Sequence, residues 1–300
     1  LIRVKFVHGA NPPPKGIETG AAALSSLLKA RDIYILSSAK VQRYDEDGLN
    51  IFKDLQGREL AHVGPLLRGR EKRWWDDPFR CLLRPPEELE SLAEDPSTPT
   101  AHWDQRLRSS RSSYSSFIRK LKALGLVTFR RSCRSRIGVF FVEKKHGQIR
   151  LILDCRPTNA MFQLPPRTNM PHGGQLREVV LAEGQHMYLS EADVVDCVYS
   201  LAQHPELIPF FGLKDVLAHE LDVTTCEGTA VAPQDVLVPC FTALPMGLFW
   251  SLHMAQCAVS GKAADATASE EVEDLIGSRP PPLVHQGKIL RSVYVDNIHL

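Results

Sequence analysis

Two carboxylates, each set in its own strand-like stretch about a hundred residues apart, constrain this chain more than any other feature. The first is Asp193, in Leu189-Ser-Glu-Ala-Asp193-Val-Val-Asp196-Cys-Val-Tyr-Ser-Leu201. The second is Asp296, in Ile289-Leu-Arg-Ser-Val-Tyr294-Val-Asp296-Asn297-Ile-His-Leu300. If the two strands lie side by side, the carboxylates meet where little else balances their charge. Such a pair either shares a proton or holds a divalent cation. Two like charges about 4 Å apart repel by about 4 kcal/mol at an effective dielectric near 20, so an empty site of this kind attracts cations. The cation option points to phosphoryl transfer.

The 300 residues are enough to bury a core as one large or two ordinary domains. With 43% hydrophobic and 24% charged residues, the composition is that of an ordinary globular protein. The apolar runs fall well short of a membrane span and no signal peptide opens the chain, so no membrane partner is expected. The seven cysteines (Cys81, Cys133, Cys155, Cys197, Cys226, Cys240, Cys257) include no CxxC pair. That pattern favours reduced thiols in an intracellular setting, cytoplasm or nucleus, over a disulfide framework or a zinc site. The chain opens on Leu1 and closes in what reads as an unfinished hairpin, which suggests a piece of a longer protein.

The net charge of +1 conceals an asymmetry. Residues 106–150 hold thirteen Lys or Arg and one acid, Glu143, which leaves 23 basic and 34 acidic residues elsewhere. A stretch so basic beside an acidic remainder favours a polyanionic partner, with a solvated helix face as the bland alternative. Residues 1–105 are harder to read. Ile2–Val7 alternates like a strand, Ala21–Arg31 suits a short helix, and Pro-rich stretches punctuate the rest as loops. Trp74 and Trp75, beside Arg70, Lys72 and Arg73, could stack on bases, but buried tryptophans are the simpler reading.

The pattern sharpens from Ser112. Tyr114, Phe117, Ile118, Leu121 and Leu124 share one helical face, and Gly125 stands where a C-terminal cap belongs. Gly138–Val142 and Ile149–Leu153 read as a hairpin around a Gly-containing turn. Met187–Tyr199 reads as a strand running into a helix, Val236–Ala243 as another strand, and the stretch from Pro245 to about Ser260 as a helix. The Ala/Ser/Glu-rich span Gly261–Pro282 reads as a surface excursion before the closing hairpin.

Four blocks stand in order: Phe140-Phe-Val-Glu-Lys144-Lys145-His-Gly147-Gln-Ile-Arg150-Leu-Ile-Leu-Asp154-Cys-Arg156-Pro-Thr-Asn159; Asp193-Val-Val-Asp196; Leu244-Pro-Met-Gly247 with Ser251 and Gln256 after it; and Tyr294-Val-Asp-Asn297. Each alone is weak. Together, over roughly residues 112–300, they resemble the fingers and palm of reverse transcriptases, the RNA-dependent DNA polymerases of retroelements and retroviruses. The resemblance implies an α+β fold: a right-hand polymerase palm of antiparallel strands backed by helices, with a fingers subdomain and no thumb. Fingers would occupy about 106–185 and 202–235, the palm about 186–201 and 236–300, and residues 1–105 would form an N-terminal region of unknown role.

The resemblance further implies template-directed DNA synthesis from RNA, by two-metal phosphoryl transfer to a primer 3′-hydroxyl. The partners it implies are an RNA template, a DNA or RNA primer and deoxynucleoside triphosphates. Asp193, Asp296 and Asn297 would take the catalytic positions. Asp193, Asp296 and the Val194 carbonyl would hold two Mg²⁺ ions, with Mn²⁺ the alternative. Arg150 and either Lys144 or Lys145 would grip the triphosphate, the first as a planar fork and the second as a mobile point charge. Val198, Met246 and Gly247 would face the nucleotide. Gly247 would let the backbone approach a base pair where a Cβ would clash. Arg156, Asn159, Gln256 and Tyr294 would serve template and primer, while Asp154 and Asp196 are assigned to structure.

Two positions depart from the family pattern. Asn297 replaces the usual second acid of the closing turn, which removes a charge and implies weaker metal affinity, although an amide oxygen can still ligate a hard cation. Val198 stands where a Tyr or Phe usually excludes a 2′-hydroxyl, which implies poorer rejection of ribonucleotides unless Tyr199 fills the space. The competing readings are a catalytically decayed retroelement fragment that only binds nucleic acid, and an RNA-directed RNA polymerase sharing the palm.

Overall fold

The computed structural model describes residues 40–300, except 50, 95–97, 145–146, 172–174, 176–177, 181–182, 185, 278 and 282–287. The expected strand at Ile2–Val7, the helix at Ala21–Arg31 and the side chain of Lys145 lie outside the described residues. In chain order the elements that position the site are β1 (Val41–Gln42), α1 (Ile51–Asp54), β2 (Ala61–His62), α2 (Gly69–Asp76), α3 (Arg111–Ala123), β3 (Val127–Arg130), β4 (Gly138–Glu143) and β5 (Ile149–Asp154). They continue with α4 (Arg156–Met161), β6 (Glu191–Asp193), α5 (Cys197–Ser200), β7 (Leu201–Ala202), β8 (Val216–Leu217), β9 (Val236–Phe241), α6 (Phe249–Ala266), β10 (Val272–Asp274), β11 (Ile289–Tyr294) and β12 (Asn297–His299).

The architecture is α+β, with small sheets of mostly antiparallel strands against helices. One sheet runs β1-β4-β5, a second β3-β9-β8, and a third β10-β11-β12-β6. The expected helix is α3. Its Tyr114, Phe117, Ile118 and Leu121 are wholly buried, Ser110 caps its start through Ser113 N–H, and Gly125 at φ 69° ends it. The Leu126 and Gly125 amides donate to the Leu121 and Lys122 carbonyls at 2.9 and 3.0 Å, so a Schellman turn closes the helix. The expected hairpin is β4–β5, in a register that sets Val142 opposite Arg150.

Three local expectations change. The stretch before Asp196 holds only three strand residues, and Glu191, Ala192 and Asp193 are all exposed because β6 lies at the sheet edge with β12 as its one partner among the described residues. Asp193 therefore does not sit in a buried apolar strand. The closing hairpin turns at Val295-Asp296 rather than at Asp-Asn, since Tyr294 already pairs with Asn297. The supposed excursion at 261–282 is partly regular: α6 continues to Ala266, and β10 pairs parallel with β11. Gly261 permits this, because a Cβ there would run into the Leu66 carbonyl oxygen.

Residues 41–105 join the same core. Tyr44 stacks edge-on to Phe117 at 5.4 Å, β1 extends the β4–β5 sheet, and Trp75 is buried. Trp74 is partly buried, edge-on to Trp250 with the Arg70 guanidinium over its other side. Among the described residues no helix is long and apolar enough to cross a membrane. All seven cysteines are free.

Candidate active site

The sheet register brings the two key acids to one place. Asn297 stands opposite Asp193 on neighbouring strands, and Val194 N–H donates to the Asp296 carbonyl oxygen at 2.9 Å. The β11–β12 turn and the end of β6 thus meet at one end of the sheet. Both carboxylates act on the same buried thiol. Burial first, then Asp296 and Asp193, push the Cys197 thiol up to about 12. Asp193 and Asp296 both offer carboxylate oxygens here, the ligand type that suits a hard divalent cation.

The turn that presents Asp296 is held from behind. Val295 adopts φ 54°, a conformation a β-branched residue rarely takes. Gln256 on α6 offsets that cost with both ends of its amide: Nε2 donates to the Val293 carbonyl at 2.8 Å and Oε1 accepts from Val295 N–H at 2.7 Å. Gln256 is buried, so it works as a clamp on the turn from within the protein. Asn297 Nδ2 donates to Asp296 Oδ1 at 2.9 Å and so aims the neighbouring carboxylate. Tyr294 is half exposed beside them.

The basic hairpin comes near from the other side. Asp196, in the left-handed region at φ 45°, lies close enough to Lys144 and Arg150 for both to favour its ionised form. Burial and the facing carboxyl of Asp54 outweigh them and raise its pKa. The Oδ2 atom of Asp196 is buried and accepts no hydrogen bond among the described residues. Asp54 ends α1, more than a hundred residues upstream, and no sequence pattern announces it.

The loop before α6 is tied to β5 and α4. Leu153 N–H donates to Met246 O at 3.0 Å, Asn159 Nδ2 donates to Gly247 O at 2.9 Å, and Phe249 N–H donates to Asn159 Oδ1 at 3.0 Å. A Cβ on Gly247 would run into the Leu153 carbonyl oxygen, and its φ is 134°. The glycine is therefore required by the protein's own strand, a cause not foreseen from the sequence. Arg156 chelates Asp154, which also accepts from His102 N–H at 2.7 Å. Burial opposes ionisation of Asp154, but these donors outweigh it and hold the carboxyl below the ordinary range. Val198 is half-buried against the core. Tyr199 does not take its place: the ring is buried and its hydroxyl donates to Leu151 O at 2.8 Å.

Much of the basic stretch is already matched. Arg111 pairs with Glu220, Lys120 with Glu46, Arg130 with Glu227, Arg131 with Asp235 and Arg136 with Asp215. The acids come from segments distant in sequence, so a count along the chain overstates the charge that a polyanion would meet.

No protein-family profile matches the chain, and no curated protein matches it. Among solved structures it is similar to the foamy viral protease-reverse transcriptase dRH in complex with double-stranded DNA, at 16% identity and a TM-score of 0.42, over 90% of this chain and 41% of that one. It is also similar to the foamy viral protease-reverse transcriptase in complex with double-stranded DNA, at 17% identity and a TM-score of 0.42, over 88% of this chain and 46% of that one. For the native Prototype Foamy Virus protease-reverse transcriptase the values are 16%, 0.38, 90% and 31%. The chain thus spans less than half the length of these structures. The chemistry of the site rests on its own geometry.

Proposed function

We propose that the protein is an RNA-directed DNA polymerase, a reverse transcriptase whose palm carries Asp193 and Asp296 and whose β4–β5 hairpin belongs to the fingers. The observation that carries this reading is the register that sets Asn297 opposite Asp193 and brings both acids to one sheet end, with Lys144 and Arg150 facing the adjacent Asp196. Asp193, Asp296 and the Val194 carbonyl would hold Mg²⁺, which supplies charge neutralisation at the attacking 3′-hydroxyl and at the leaving pyrophosphate. Arg150 and Lys144 bind the triphosphate and hold it against the acids. Asn297 keeps the Asp296 carboxylate oriented through its hydrogen bond, and Gln256 fixes the turn that bears it. Asn159 and Gly247 hold the loop beside β5, where a nucleotide base would lie.

A second reading is favoured by one observation: the Asn297 amide donates to Asp296, where a second acid would add negative charge. On that reading the fold binds primer–template without chemistry. The test is Mg²⁺-dependent addition of deoxynucleotides to a primer annealed to RNA, by the parent protein and by Asp193→Ala and Asp296→Ala. Extension by the parent that falls at least a thousandfold in both variants is the expected result, an order of magnitude in line with loss of metal-held charge stabilisation. Extension unchanged in both variants overturns the assignment. Tight binding of the primer–template with no extension by any of the three selects the second reading.

A further inference from the structure

Behind the acid site, two helices bring a second set of donors together. Glu71 lies on α2, and His253 and Cys257 lie one turn apart on the facing side of α6. One donor atom from each, a carboxylate oxygen, an imidazole nitrogen and the thiol sulfur, lies within 4.8 Å of the others. His253 Nε2 is 3.8 Å from Glu71 Oε1 and 3.8 Å from Cys257 Sγ. A tetrahedral zinc ion with ordinary bond lengths needs its nitrogen about 3.6 Å from sulfur and about 3.3 Å from oxygen. The two contacts of the histidine therefore need to close by only a few tenths of an ångström, and the sulfur–oxygen pair, which lies within 4.8 Å, by at most about 1.2 Å to reach the roughly 3.6 Å that such an ion needs.

The surroundings fit a metal better than an idle cluster. Thr168 Oγ1 lies 3.0 Å from His253 Nδ1, which leaves Nε2 to face Glu71 and Cys257. Anchoring one ring nitrogen is how proteins fix the tautomer of a metal-binding histidine. The rings of Trp250 and Trp74 lie 5.8 and 6.4 Å from the imidazole and wall the site on that side. Glu71 and Cys257 remain partly accessible, which gives an ion a way in. Arg70 donates to Glu71 Oε1 through both Nε and Nη2, at 3.4 and 3.3 Å, and would have to yield both contacts, but its guanidinium also rests over the Trp74 ring.

We propose that Glu71, His253 and Cys257 form a binding site for zinc, with three protein ligands and one position left for water. The mixed sulfur, nitrogen and oxygen set suits a borderline-soft divalent ion and not the hard Mg²⁺ of the acid site. On binding, Cys257 gives its proton to water and coordinates as thiolate. The ion ties α2 to α6 at the residue next to Gln256, the clamp of the catalytic turn. The cysteine spacing gave no hint of this, because one ligand lies 182 residues before the next.

Cobalt(II) is the probe, added to the chelator-treated full chain. The expected result is one equivalent of Co²⁺ bound, with a sulfur-to-cobalt charge-transfer band and the strong visible bands of a tetrahedral ion. Cys257→Ser should abolish the charge-transfer band, and Glu71→Gln should weaken binding by about tenfold or more. Zinc should raise the melting temperature of the parent and leave Cys257→Ser unmoved, with circular dichroism showing both proteins folded. Absence of the charge-transfer band at millimolar Co²⁺ overturns the proposal. So does an undiminished band in Cys257→Ser, which would assign it to another cysteine. Co²⁺ held by oxygen at Asp193 and Asp296 gives no such band, so this result is independent of the polymerase reading.

Discussion

At the scale of single residues, Asp196 shows how the fold uses charge beside the proposed metal site. The residue is half-buried with its Oδ2 atom shielded from solvent, its carboxyl faces Asp54, and burial first, then Asp54, raise its pKa above the ordinary value. A group that holds its proton more firmly in the folded than in the unfolded chain costs stability as pH rises from the unfolded value, about 3.9, through the folded one. The cost is absent at lower pH and complete above that window. Asp196→Asn removes it, so in metal-free buffer the variant should melt a few degrees above the parent at pH 7, and the gain should vanish as pH falls below about 4. Melting curves across that range decide the matter: an equal gain at both ends would mean that the raised pKa is not its source. The neighbouring Cys197 shifts in the same direction, a thiol kept protonated by burial and by Asp296 and Asp193. Neither effect is visible in the sequence, because Asp54 and Asp196 meet only after folding.

At the scale of elements, α6 matters most, since it carries the clamp on the β11–β12 turn. Gln256→Ala would leave the Val293 carbonyl and the Val295 amide without their partner in a buried setting, at about 1–3 kcal/mol each. The expected outcome is a loss of about 2–4 kcal/mol in denaturant unfolding, with faster amide exchange confined to the β11–β12 turn. A loss under about 0.5 kcal/mol with unchanged exchange would show that the turn holds itself. The same scale separates what could be read beforehand from what could not. Helix α3 and hairpin β4–β5 were legible because their apolar residues recur at the right period, with Gly125 closing the helix and Gly147 in the hairpin turn. The β11–β12 hairpin was legible as a hairpin, but its turn was displaced by one residue, because the left-handed Val295 defies ordinary turn preference. Strand β6 was overestimated: its residues are exposed, and no periodicity distinguishes a three-residue edge from a loop. Helix α2 was missed because its role is fixed by packing on α6, through a contact between Trp74 and Trp250, far apart in sequence.

For the molecule as a whole, electrostatics decide what a polyanion would encounter. Thirteen bases within residues 106–150 suggest a broad positive face, yet five of them are paired with acids from outside that stretch. With about 0.9 counterions released per phosphate, all thirteen would give a slope of about −12 in log affinity against log salt, and the remaining eight at most about −7. Primer–template binding measured from low to moderate salt should therefore show a slope no steeper than about −7. A value nearer −12 would mean that the internal pairs open to release their arginines. One last consequence concerns the flank of the four-stranded sheet, where β6 has a neighbour on one side only among the described residues. A bare flank invites another polypeptide to add itself as a further strand, and natural proteins deter this with charge. Glu191 and Asp193, both exposed, place two carboxylates on that flank, and their charge opposes the addition of a second copy there.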